Sequence, residues 1–370
     1  MLRTIGMMSG TSLDGVDAAW VETDGERIGR LGPRLTLPYD DRLRRDLRAL
    51  LDRANAAAGN GLPPEDELLG DCVRRLTLRH AEAAAAIGEE ADLIGFHGQT
   101  ILHRPARWGG GGGFTWQVGD AAILAELTGL PVAHDFRSAD VRAGGQGAPL
   151  VPVFHAALAA ELPKPLAVLN LGGVGNVTWI GADGALVAFD TGPANGPLDD
   201  WARRHTGAAC DWDGALAAAG RAHAAVLARL LAHPYFALPP PKSLDRLGFA
   251  RALRESGAAD LPPADGAATL VAFSAGAVAA ALRHLPQPPR EWLVGGGGRR
   301  NAAAMRALRE ILPQPVRPVE AVGWDGDALE AQAFGVLAAR VARGLPLTFP
   351  GTTGAPRPLP GGRLTGRRLP

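Results

Sequence analysis

Residues 4–22 read Thr4-Ile5-Gly6-Met7-Met8-Ser9-Gly10-Thr11-Ser12-Leu13-Asp14-Gly15-Val16-Asp17-Ala18-Ala19-Trp20-Val21-Glu22. A short apolar run leads into a polar turn with two glycines, and an alternating apolar segment follows. This order predicts a β-hairpin. The pattern recurs about 165 residues later, where strand-like residues 165–171 lead into a glycine turn over 172–176. Two copies of one strand–turn–strand unit indicate a duplicated α/β fold.

The segments around the two hairpins alternate between strand and helix patterns. In the first half we predict strands over 31–37, 92–96, 114–118 and 130–134. The predicted helices cover 41–53, 65–87, 121–127 and the segment from just after 149 to about 162, and a polar loop covers 135–148. In the second half we predict strands over 177–180, 185–189 and 291–294, and helices over 198–205, 213–232, 268–285, from 301 onward and over 329–343. The tail after Pro346 is expected to be irregular, and the glycine run 109–113 to be a surface insertion.

Composition excludes several classes of protein. The 370 residues are 46% hydrophobic, enough for two folded domains. Thirty-eight basic and 38 acidic residues leave no net charge, so no overall field favours nucleic acid or an anionic membrane. Two cysteines, Cys72 and Cys210, suit a reducing compartment. No apolar segment matches a signal peptide or membrane span, and we expect a soluble cytoplasmic protein.

Three glycine-rich turns, 10–15, 172–176 and 295–298, each follow a predicted strand. Glycine allows several backbone N–H groups to approach one anion closely. Each turn alone is also compatible with ordinary chain reversal, but three together suggest a polyphosphate site. The P-loop, the dinucleotide-binding glycine motif after the first strand and the Gly-x-Ser-x-Gly nucleophile motif are all missing from the sequence.

Four polar residues are candidates for chemistry, and each has a second interpretation. Asp190, directly after a predicted strand, is either a general base or an Asx-turn residue. Asp14 either holds a magnesium-bound water or stabilises its turn. His97 either contacts a ligand or caps a strand, and its spacing does not indicate zinc. Arg137 either pairs with a substrate carboxylate or lies in a solvated loop. We assign no side chain as a direct metal ligand.

Several motifs together resemble those of the anhydro-N-acetylmuramic acid kinases. They are Met8-Ser9-Gly10-Thr11-Ser12-Leu13-Asp14-Gly15-Val16-Asp17, Phe96-His97-Gly98-Gln99-Thr100, Asp135-Phe136-Arg137-Ser138-Ala139-Asp140-Val141, residues 144–152, residues 189–195, Pro241-Lys242-Ser243 and residues 296–301. The resemblance extends from Ile5 to Val341. The sequence departs from the family pattern at Ala194, at Leu244-Asp245 and at residues 323–326.

This resemblance implies an α/β fold with two ribonuclease-H-like (actin-like ATPase) domains. Each would hold a mixed five-stranded sheet flanked by helices, with the active site in the interdomain cleft. The expected domains are 1–135 with 340–370, and 136–339. The implied reaction uses ATP, Mg²⁺ and water to convert 1,6-anhydro-N-acetylmuramic acid into N-acetylmuramic acid 6-phosphate during peptidoglycan recycling. The family also suggests a homodimer.

The resemblance further implies roles for particular residues, with Asp190 as the catalytic base. The implied nucleotide-binding residues are Gly10, Thr11, Ser12, Leu13, Asp14, Gly15, Val16, Asp17, Gly172, Gly173, Asn176, Gly296, Gly297, Gly298 and Asn301. The implied sugar-binding residues are His97, Gln99, Arg137, Asp140, Gln146, Asn195 and Glu330. Two other functions stay open: an ordinary sugar or carboxylate kinase of the same superfamily, and a non-catalytic ATP-dependent sugar sensor.

Overall fold

The chain forms two compact units in a computed structural model that describes residues 1–10, 13–56, 65–104, 113–244 and 249–369. Unit 1 comprises Met1–Glu161 and Ala328–Pro370, and unit 2 comprises Leu162–Asp327. Residues 136–161 and 328–339 thus belong to unit 1, whereas the sequence suggested the second domain. Thr11, Ser12, Asp245 and residues 109–112 of the expected insertion lie outside the described residues.

The first segment of unit 1 follows the predicted order of elements closely. Its strands are β1 (Leu2–Ser9), β2 (Gly15–Thr23), β3 (Ile28–Pro38), β4 (Leu93–Arg104), β5 (Phe114–Val118) and β6 (Val132–His134). Its helices are α1 (Asp41–Ala56), α2 (Glu67–Ala86), α3 (Ala121–Thr128), α4 (Ser138–Arg142) and α5 (Pro152–Leu158).

Unit 2 begins with the second hairpin. Its strands are β7 (Leu166–Leu171), β8 (Val174–Ile180), β9 (Leu186–Pro193), β10 (Trp292–Gly295) and β11 (Val316–Pro318). Its α-helices are α6 (Asn195–Thr206), α7 (Ala215–Ala218), α8 (Ala224–Leu231), α9 (Ala250–Glu255), α10 (Pro263–Ala281) and α11 (Ala302–Ile311). Short 3₁₀ helices cover Trp212–Gly214, Pro234–Ala237, Ala258–Asp260, Leu282–His284, Gly297–Arg300 and Val319–Val322.

The chain then returns to unit 1 through α12 (Leu329–Ala342). It continues through β12 (Pro346–Thr348), α13 (Pro350–Thr353), β13 (Leu359–Pro360) and β14 (Arg363–Thr365). The prediction of an irregular tail was wrong, because β14 pairs with β6 and β12 pairs with β13. These pairings join residues far apart in sequence, so the tail's high proline and glycine content concealed them.

The two sheets share one strand order. Unit 1 has the order β3-β2-β1-β4-β6, and unit 2 has β9-β8-β7-β10-β11. In each, the first three strands are antiparallel and the remaining strands run parallel to the central one. The repeated topology confirms the duplicated ribonuclease-H-like fold. The expected strand number is correct for unit 2, but the unit 1 sheet has seven strands because β5 and β14 extend it.

Helix α12 packs so closely on the unit 1 sheet that two strand positions must be glycine. A Cβ atom on Gly6 would lie 1.9 Å from the carbonyl oxygen of Ala331, and one on Gly95 would lie 2.1 Å from that of Phe334. No side chain fits at such distances. This contact explains why the chain after Asp327 belongs to unit 1.

Helix α10 is the main core helix of unit 2. Within the described residues, the helical stretch Pro263–His284 is the one segment long and apolar enough to match a membrane span, and most of it is buried inside the protein. Its buried side chains include Phe273, Ala275 and Val278. Its apolar character is therefore explained by packing within unit 2.

Two further elements differ from their predicted bounds. Strand β4 continues to Arg104, beyond the predicted end at residue 96, because β5 pairs with residues 99–104. The predicted helix 213–232 is broken into α7 and α8, and left-handed backbone at Asp213 (φ 53°) and Gly214 (φ 74°) precedes α7. Helical composition alone did not reveal this interruption.

Candidate active site

Asp190 lies inside strand β9, where the sequence suggested a position just beyond the strand end. Its backbone N–H donates to the carbonyl oxygen of Lys242 at 3.0 Å, and its carbonyl oxygen accepts the hydroxyl of Tyr235 at 2.6 Å. Its carboxylate Oδ2 accepts the backbone N–H of Leu244 at 2.8 Å. Segment 235–244 therefore fixes both the backbone and the carboxylate of Asp190.

The surroundings of Asp190 bring the pKa of its carboxyl group close to neutral pH. Burial raises the pKa of the Asp190 carboxyl to about 7, although the Leu244 N–H and the positive charge of Lys242 both act to lower it. Burial also lowers the pKa of the Lys242 ammonium to about 8. A carboxylate whose pKa is near the working pH combines a substantial ionised fraction with a useful affinity for a proton.

Asn176 is the cross-strand partner of Asp190, on β8. A β-bulge follows this pair, because Gly175 lies opposite Gly192 and leaves Thr191 extra on its strand. The Oδ1 atom of Asn176 is buried and has no hydrogen-bond partner in the structure. A buried amide oxygen without a donor is costly, so this atom is suited to accept from a bound molecule. The expected nucleotide contact of Asn176 stays a prediction.

Two of the three glycines after β10, Gly296 and Gly298, are required by close packing. Gly296 has φ +71°, and a Cβ there would lie 2.3 Å from Asn170 Oδ1. A Cβ on Gly298 would lie 2.6 Å from the Cβ of Leu171 and 2.8 Å from Asn195 Oδ1. Gly297 has no atom closer than 3.9 Å to its would-be Cβ. The backbone of 296–298 is thus pressed against the end of β7.

Asn195 connects the two glycine-rich segments of unit 2. Its side-chain Nδ2 donates to the carbonyl oxygen of Leu171 at 2.8 Å, and its backbone N–H donates to that of Gly172 at 2.9 Å. Gly173 accepts the backbone N–H of Gly196 at 3.0 Å. Asn195 therefore supports the glycine turn, while its predicted sugar contact stays a prediction.

Asn301 has a clear structural function. Its Oδ1 accepts the backbone N–H of Ala304 at 2.9 Å and caps the N-terminus of α11. Its own N–H donates to the carbonyl oxygen of Gly298 at 3.0 Å. The cap fixes the point where the glycine segment ends and the helix begins, and nucleotide contact by Asn301 stays a prediction.

The first glycine turn lies at the end of β1 in unit 1. The carbonyl oxygen of Gly10 accepts both the backbone N–H of Leu13 and the side-chain Nε2 of Gln99, each at 3.1 Å. Leu13 has φ 61°, and Asp14 is exposed with its carbonyl oxygen bound to the Tyr39 N–H at 3.0 Å. Gln99, predicted to bind sugar, thus supports this turn.

The turn leads directly into β2. A Cβ on Gly15 would lie 2.4 Å from the carbonyl oxygen of Leu37, so β3 lies too close for any side chain. Val16 is fully buried, whereas the carboxylate of Asp17 accepts the Thr36 hydroxyl at 2.6 Å. Val16 therefore anchors the turn in the core, and nucleotide binding by these residues stays a prediction.

A buried hydrogen-bonded chain that sequence reasoning missed lies beside this turn. The hydroxyl of Tyr39 donates to Ser9 Oγ at 2.7 Å, and Ser9 Oγ lies 3.0 Å from His80 Nε2. Nδ1 of His80 lies 2.8 Å from the carbonyl oxygen of Leu76 and donates to it. Burial lowers the pKa of His80 to about 4, so the imidazole is neutral and accepts from Ser9. Only the position of Ser9 in the first motif hinted at this support.

Arg137 and His97 form the centre of a second polar cluster in unit 1. The Arg137 guanidinium donates from Nε to His97 Nε2 at 3.0 Å and from NH1 to the carbonyl oxygen of Gly147 at 2.7 Å. His97 Nδ1 donates to the carbonyl oxygen of Gly98 at 2.8 Å. Burial, aided by the charge of Arg137, holds the pKa of His97 well below its usual value, so the imidazole stays neutral. His97 therefore positions Arg137 through Nε2, while the bond from Nδ1 to Gly98 fixes the ring, and the sugar contact of His97 stays a prediction.

Two carboxylates lie near Arg137. Burial lowers the pKa of the Arg137 guanidinium to about 10, and the negative charges of Glu330 and Asp140 oppose this change. Asp140 is 2% exposed. Its Oδ1 accepts a hydrogen bond from Thr353 Oγ1 at 2.7 Å, and its Oδ2 accepts one from the Gly147 N–H at 2.6 Å. Asp140 is thus engaged by the protein itself. Glu330, at the start of α12, is solvent-exposed, and sugar contacts by both carboxylates stay predictions.

The structure brings the predicted residues together in groups, each within one unit. Gln99 joins the first turn, while His97, Arg137, Asp140, Gln146 and Glu330 form the Arg137 cluster of unit 1. Lys242 and Tyr235 were not assigned from sequence, although Lys242 is one of only two lysines in the chain. The available signals were that rarity and the position of Lys242 in the motif Pro241-Lys242-Ser243.

A magnesium ion would find few protein ligands among the described residues. Among the described residues, no three His, Cys, Asp or Glu side chains cluster as a metal site. Mg²⁺ in phosphoryl-transfer enzymes commonly keeps several waters and binds through substrate phosphates with one or two carboxylates. The exposed Asp14 beside a glycine turn fits that weaker requirement.

A duplicated ribonuclease-H-like fold with glycine turns at strand ends is the architecture of the actin-like ATPases and sugar kinases. A family model described as anhydro-N-acetylmuramic acid kinase matches residues 2–365. The chain belongs to this family, and it is an enzyme, a phosphotransferase.

Two relatives show how close the match is. The anhydro-N-acetylmuramic acid kinase of Acidiphilium cryptum is 62% identical over 98% of this chain and 98% of that protein. The anhydro-N-acetylmuramic acid kinase of Rhodospirillum rubrum is 56% identical over 97% of this chain and 92% of that protein. Among solved structures, component A of (R)-2-hydroxyglutaryl-CoA dehydratase from Acidaminococcus fermentans gives a TM-score of 0.46 at 11% identity, covering 92% of this chain and 98% of that one.

Proposed function

We propose that this enzyme hydrolytically opens the 1,6-anhydro ring of 1,6-anhydro-N-acetylmuramic acid and phosphorylates O6 with ATP. The products are N-acetylmuramic acid 6-phosphate and ADP. Membership of the family supports the substrate. The observation that carries the mechanism is Asp190, a carboxylate with one oxygen held by the Leu244 N–H at 2.8 Å and a pKa of about 7.

Asp190 acts as the general base on water. The water oxygen bonds to C1 as the C1–O6 bond breaks, and Asp190 takes one water proton. O6 keeps the electron pair of the broken bond and attacks the γ-phosphorus, and ADP leaves with the electrons of the cleaved phosphoanhydride bond. The proton on Asp190 then returns to solvent, so atoms and charges balance.

Asn176 orients the attacking water. Side chains directly opposite each other on antiparallel strands have Cβ atoms about 4.5–5.5 Å apart, so one water can reach both Asp190 and Asn176. Its second hydrogen then has an acceptor in the otherwise unpartnered Oδ1 of Asn176. With both hydrogens committed, the oxygen lone pair is directed away from the protein and towards C1.

The glycine segments hold the triphosphate. Backbone N–H groups of 10–15, 172–173 and 296–298 are the proposed donors, with the hydroxyls of Thr11 and Ser12. Asp14 or Asp17 would hold Mg²⁺ together with phosphate oxygens and water, and the ion would supply charge neutralisation for the transferred phosphoryl group.

The Arg137 cluster holds the sugar. Two of the five guanidinium donors are used by His97 and Gly147. The remaining donors suit the lactyl carboxylate of a muramic acid, because a fixed guanidinium recognises a carboxylate through paired hydrogen bonds. Gln146 and Glu330 complete this polar surface.

The cellular setting follows from the chemistry. ATP and a soluble sugar are found in the cytoplasm, and both cysteines of the chain are free thiols. We therefore place the enzyme there, acting on small molecules without nucleic acid or membrane. The homodimer rests on the family resemblance alone.

Product analysis tests this function. Three reactions are run, each containing the enzyme, ATP, Mg²⁺ and one sugar: the anhydro sugar, N-acetylmuramic acid or glucose. Products are identified by mass spectrometry and ³¹P NMR. We expect the ring-opened 6-phosphate from the anhydro sugar in preference to products from the other two. A phosphorylated product that keeps the anhydro ring, or preferred phosphorylation of glucose, would instead indicate an ordinary sugar kinase.

A further inference from the structure

The C-terminal segment of unit 1 contacts the loop that carries Gln146. Thr353, the last residue of α13, is completely buried. Its hydroxyl donates to Asp140 Oδ1 at 2.7 Å, although the two residues are 213 positions apart in sequence. Its carbonyl oxygen accepts the backbone N–H of Gln146 at 2.7 Å. One residue of the tail thus bonds directly to the loop 144–147 at Gln146 and to Asp140, whose other oxygen also bonds to the loop.

The loop has little freedom to adopt another shape while these bonds persist. Asp140 Oδ2 accepts the backbone N–H of Gly147 at 2.6 Å, and a Cβ on Gly145 would lie 2.2 Å from the same oxygen. A buried carboxylate needs donors on its oxygens, because an unpartnered charge is costly away from water. Thr353 supplies the donor to Oδ1.

The hydrogen bonds continue from the loop to Arg137. The carbonyl oxygen of Gly147 accepts a hydrogen bond from Arg137 NH1 at 2.7 Å. The backbone N–H of Gly147 donates to the carboxylate of Asp140. A change at Thr353 therefore reaches the guanidinium through Asp140 and Gly147. The contacts named here involve none of the three glycine turns 10–15, 172–176 and 295–298.

We propose that Thr353 is a positioning residue that fixes the loop 144–147, and with it Arg137, for binding of the sugar. The inference rests on the proposed function for the identity of the ligand. It assigns to the C-terminal segment a specific effect on the affinity for sugar, beyond its contribution to the stability of unit 1.

The adjacent Thr352 provides a matched control. It is 2% exposed and lies on the same helix, but its hydroxyl donates to the carbonyl oxygen of Phe349 at 3.2 Å and accepts the N–H of that residue at 3.1 Å. Thr352→Val removes a buried hydroxyl of the same segment without removing a bond to the loop.

The test compares T353V, T353S and T352V of the full chain by steady-state kinetics and by amide hydrogen exchange. We expect T353V to raise KM for the anhydro sugar about tenfold, which corresponds to about 1.4 kcal/mol, with kcat and KM for ATP within twofold of wild type. T353S keeps the donor and should restore the sugar KM. T352V should leave it unchanged.

Hydrogen exchange separates this inference from the proposed function. Exchange at Gly147 should accelerate in T353V but stay slow in T352V, whether or not the anhydro sugar is the substrate. Lack of turnover of that sugar by wild type would defeat the proposed function alone. Three results would overturn the role of Thr353. They are equal exchange at Gly147 in T353V and T352V, a wild-type sugar KM in T353V, and a rise in KM for ATP in T353V as large as that for the sugar. If T353V fails to fold, T353A, which leaves room for a water beside Asp140, takes its place with the same expected direction.

Discussion

Asp190 and Asn176 face each other across strands β9 and β8, next to a β-bulge formed at Thr191. The carboxylate of Asp190 has a pKa of about 7, and the amide oxygen of Asn176 is buried without a donor. A base beside an unused acceptor is an arrangement suited to holding one water molecule by both of its hydrogens.

Replacement of Asp190 by Asn should lower kcat by a factor of about 10²–10⁴, the usual contribution of a general base. The amide keeps the size of the side chain but cannot take a proton at neutral pH. Binding of the anhydro sugar, measured by calorimetry, should persist within a few-fold. A variant with wild-type turnover would show that another group activates the water.

The pH dependence of kcat/KM should show an acid limb near pH 7. The base acts in its ionised form, so activity falls as pH drops below the raised pKa of Asp190 and levels off above it. The charge of Lys242 lowers that pKa, so Lys242→Met should move the limb to higher pH. Rates measured from pH 5 to 9 test this, and an acid limb centred near pH 4 would contradict the assignment.

Replacement of Asn176 by Ala should lower kcat about tenfold, because orientation of the water is lost while the base remains. KM for ATP should stay within twofold of wild type. Thr178→Val, which alters a buried residue of the same strand, controls for loss of stability. A rise in KM for ATP with unchanged kcat would instead support the nucleotide-binding role that the family resemblance implies.

Replacement of Gly298 by Ala should raise KM for ATP by about tenfold or more, because the new methyl group would lie 2.6 Å from the Cβ of Leu171 and displace the glycine segment. Gly70→Ala on helix α2 is the control, since no atom lies within 4 Å of its would-be Cβ. That change should leave kinetics unaltered and stabilise the helix by about 0.5–1 kcal/mol. Unchanged ATP kinetics in the Gly298 variant would separate this segment from nucleotide binding.

Local sequence patterns predicted much of the fold because strand and helix periodicities are themselves local. The hairpin from Leu2 to Thr23, its second copy from Leu166 and the long helices were all predicted from such patterns. The full length of β4 was missed because Gly98 and Gln99 resemble loop residues, and only pairing with β5 makes them part of a strand.

The sequence predicted which residues belong to the candidate site, but it did not predict the contacts that hold them in place. Asp190 and Arg137 belong to recognisable motifs. Nothing in the sequence near Asp140 indicates that its partner is Thr353, and nothing near His97 shows that both ring nitrogens are engaged within the protein. Such contacts depend on tertiary packing, which joins segments that local patterns treat separately.

The most direct test of water attack at C1 is the fate of oxygen in ¹⁸O-labelled water. The enzyme is incubated with ATP and 1,6-anhydro-N-acetylmuramic acid in labelled water, and the product is analysed quickly by mass spectrometry, with unlabelled ring-opened product as a control for exchange at C1. The mechanism predicts one labelled oxygen at C1 and none in the phosphate. Product without label at C1, or with label in the phosphate, would contradict it.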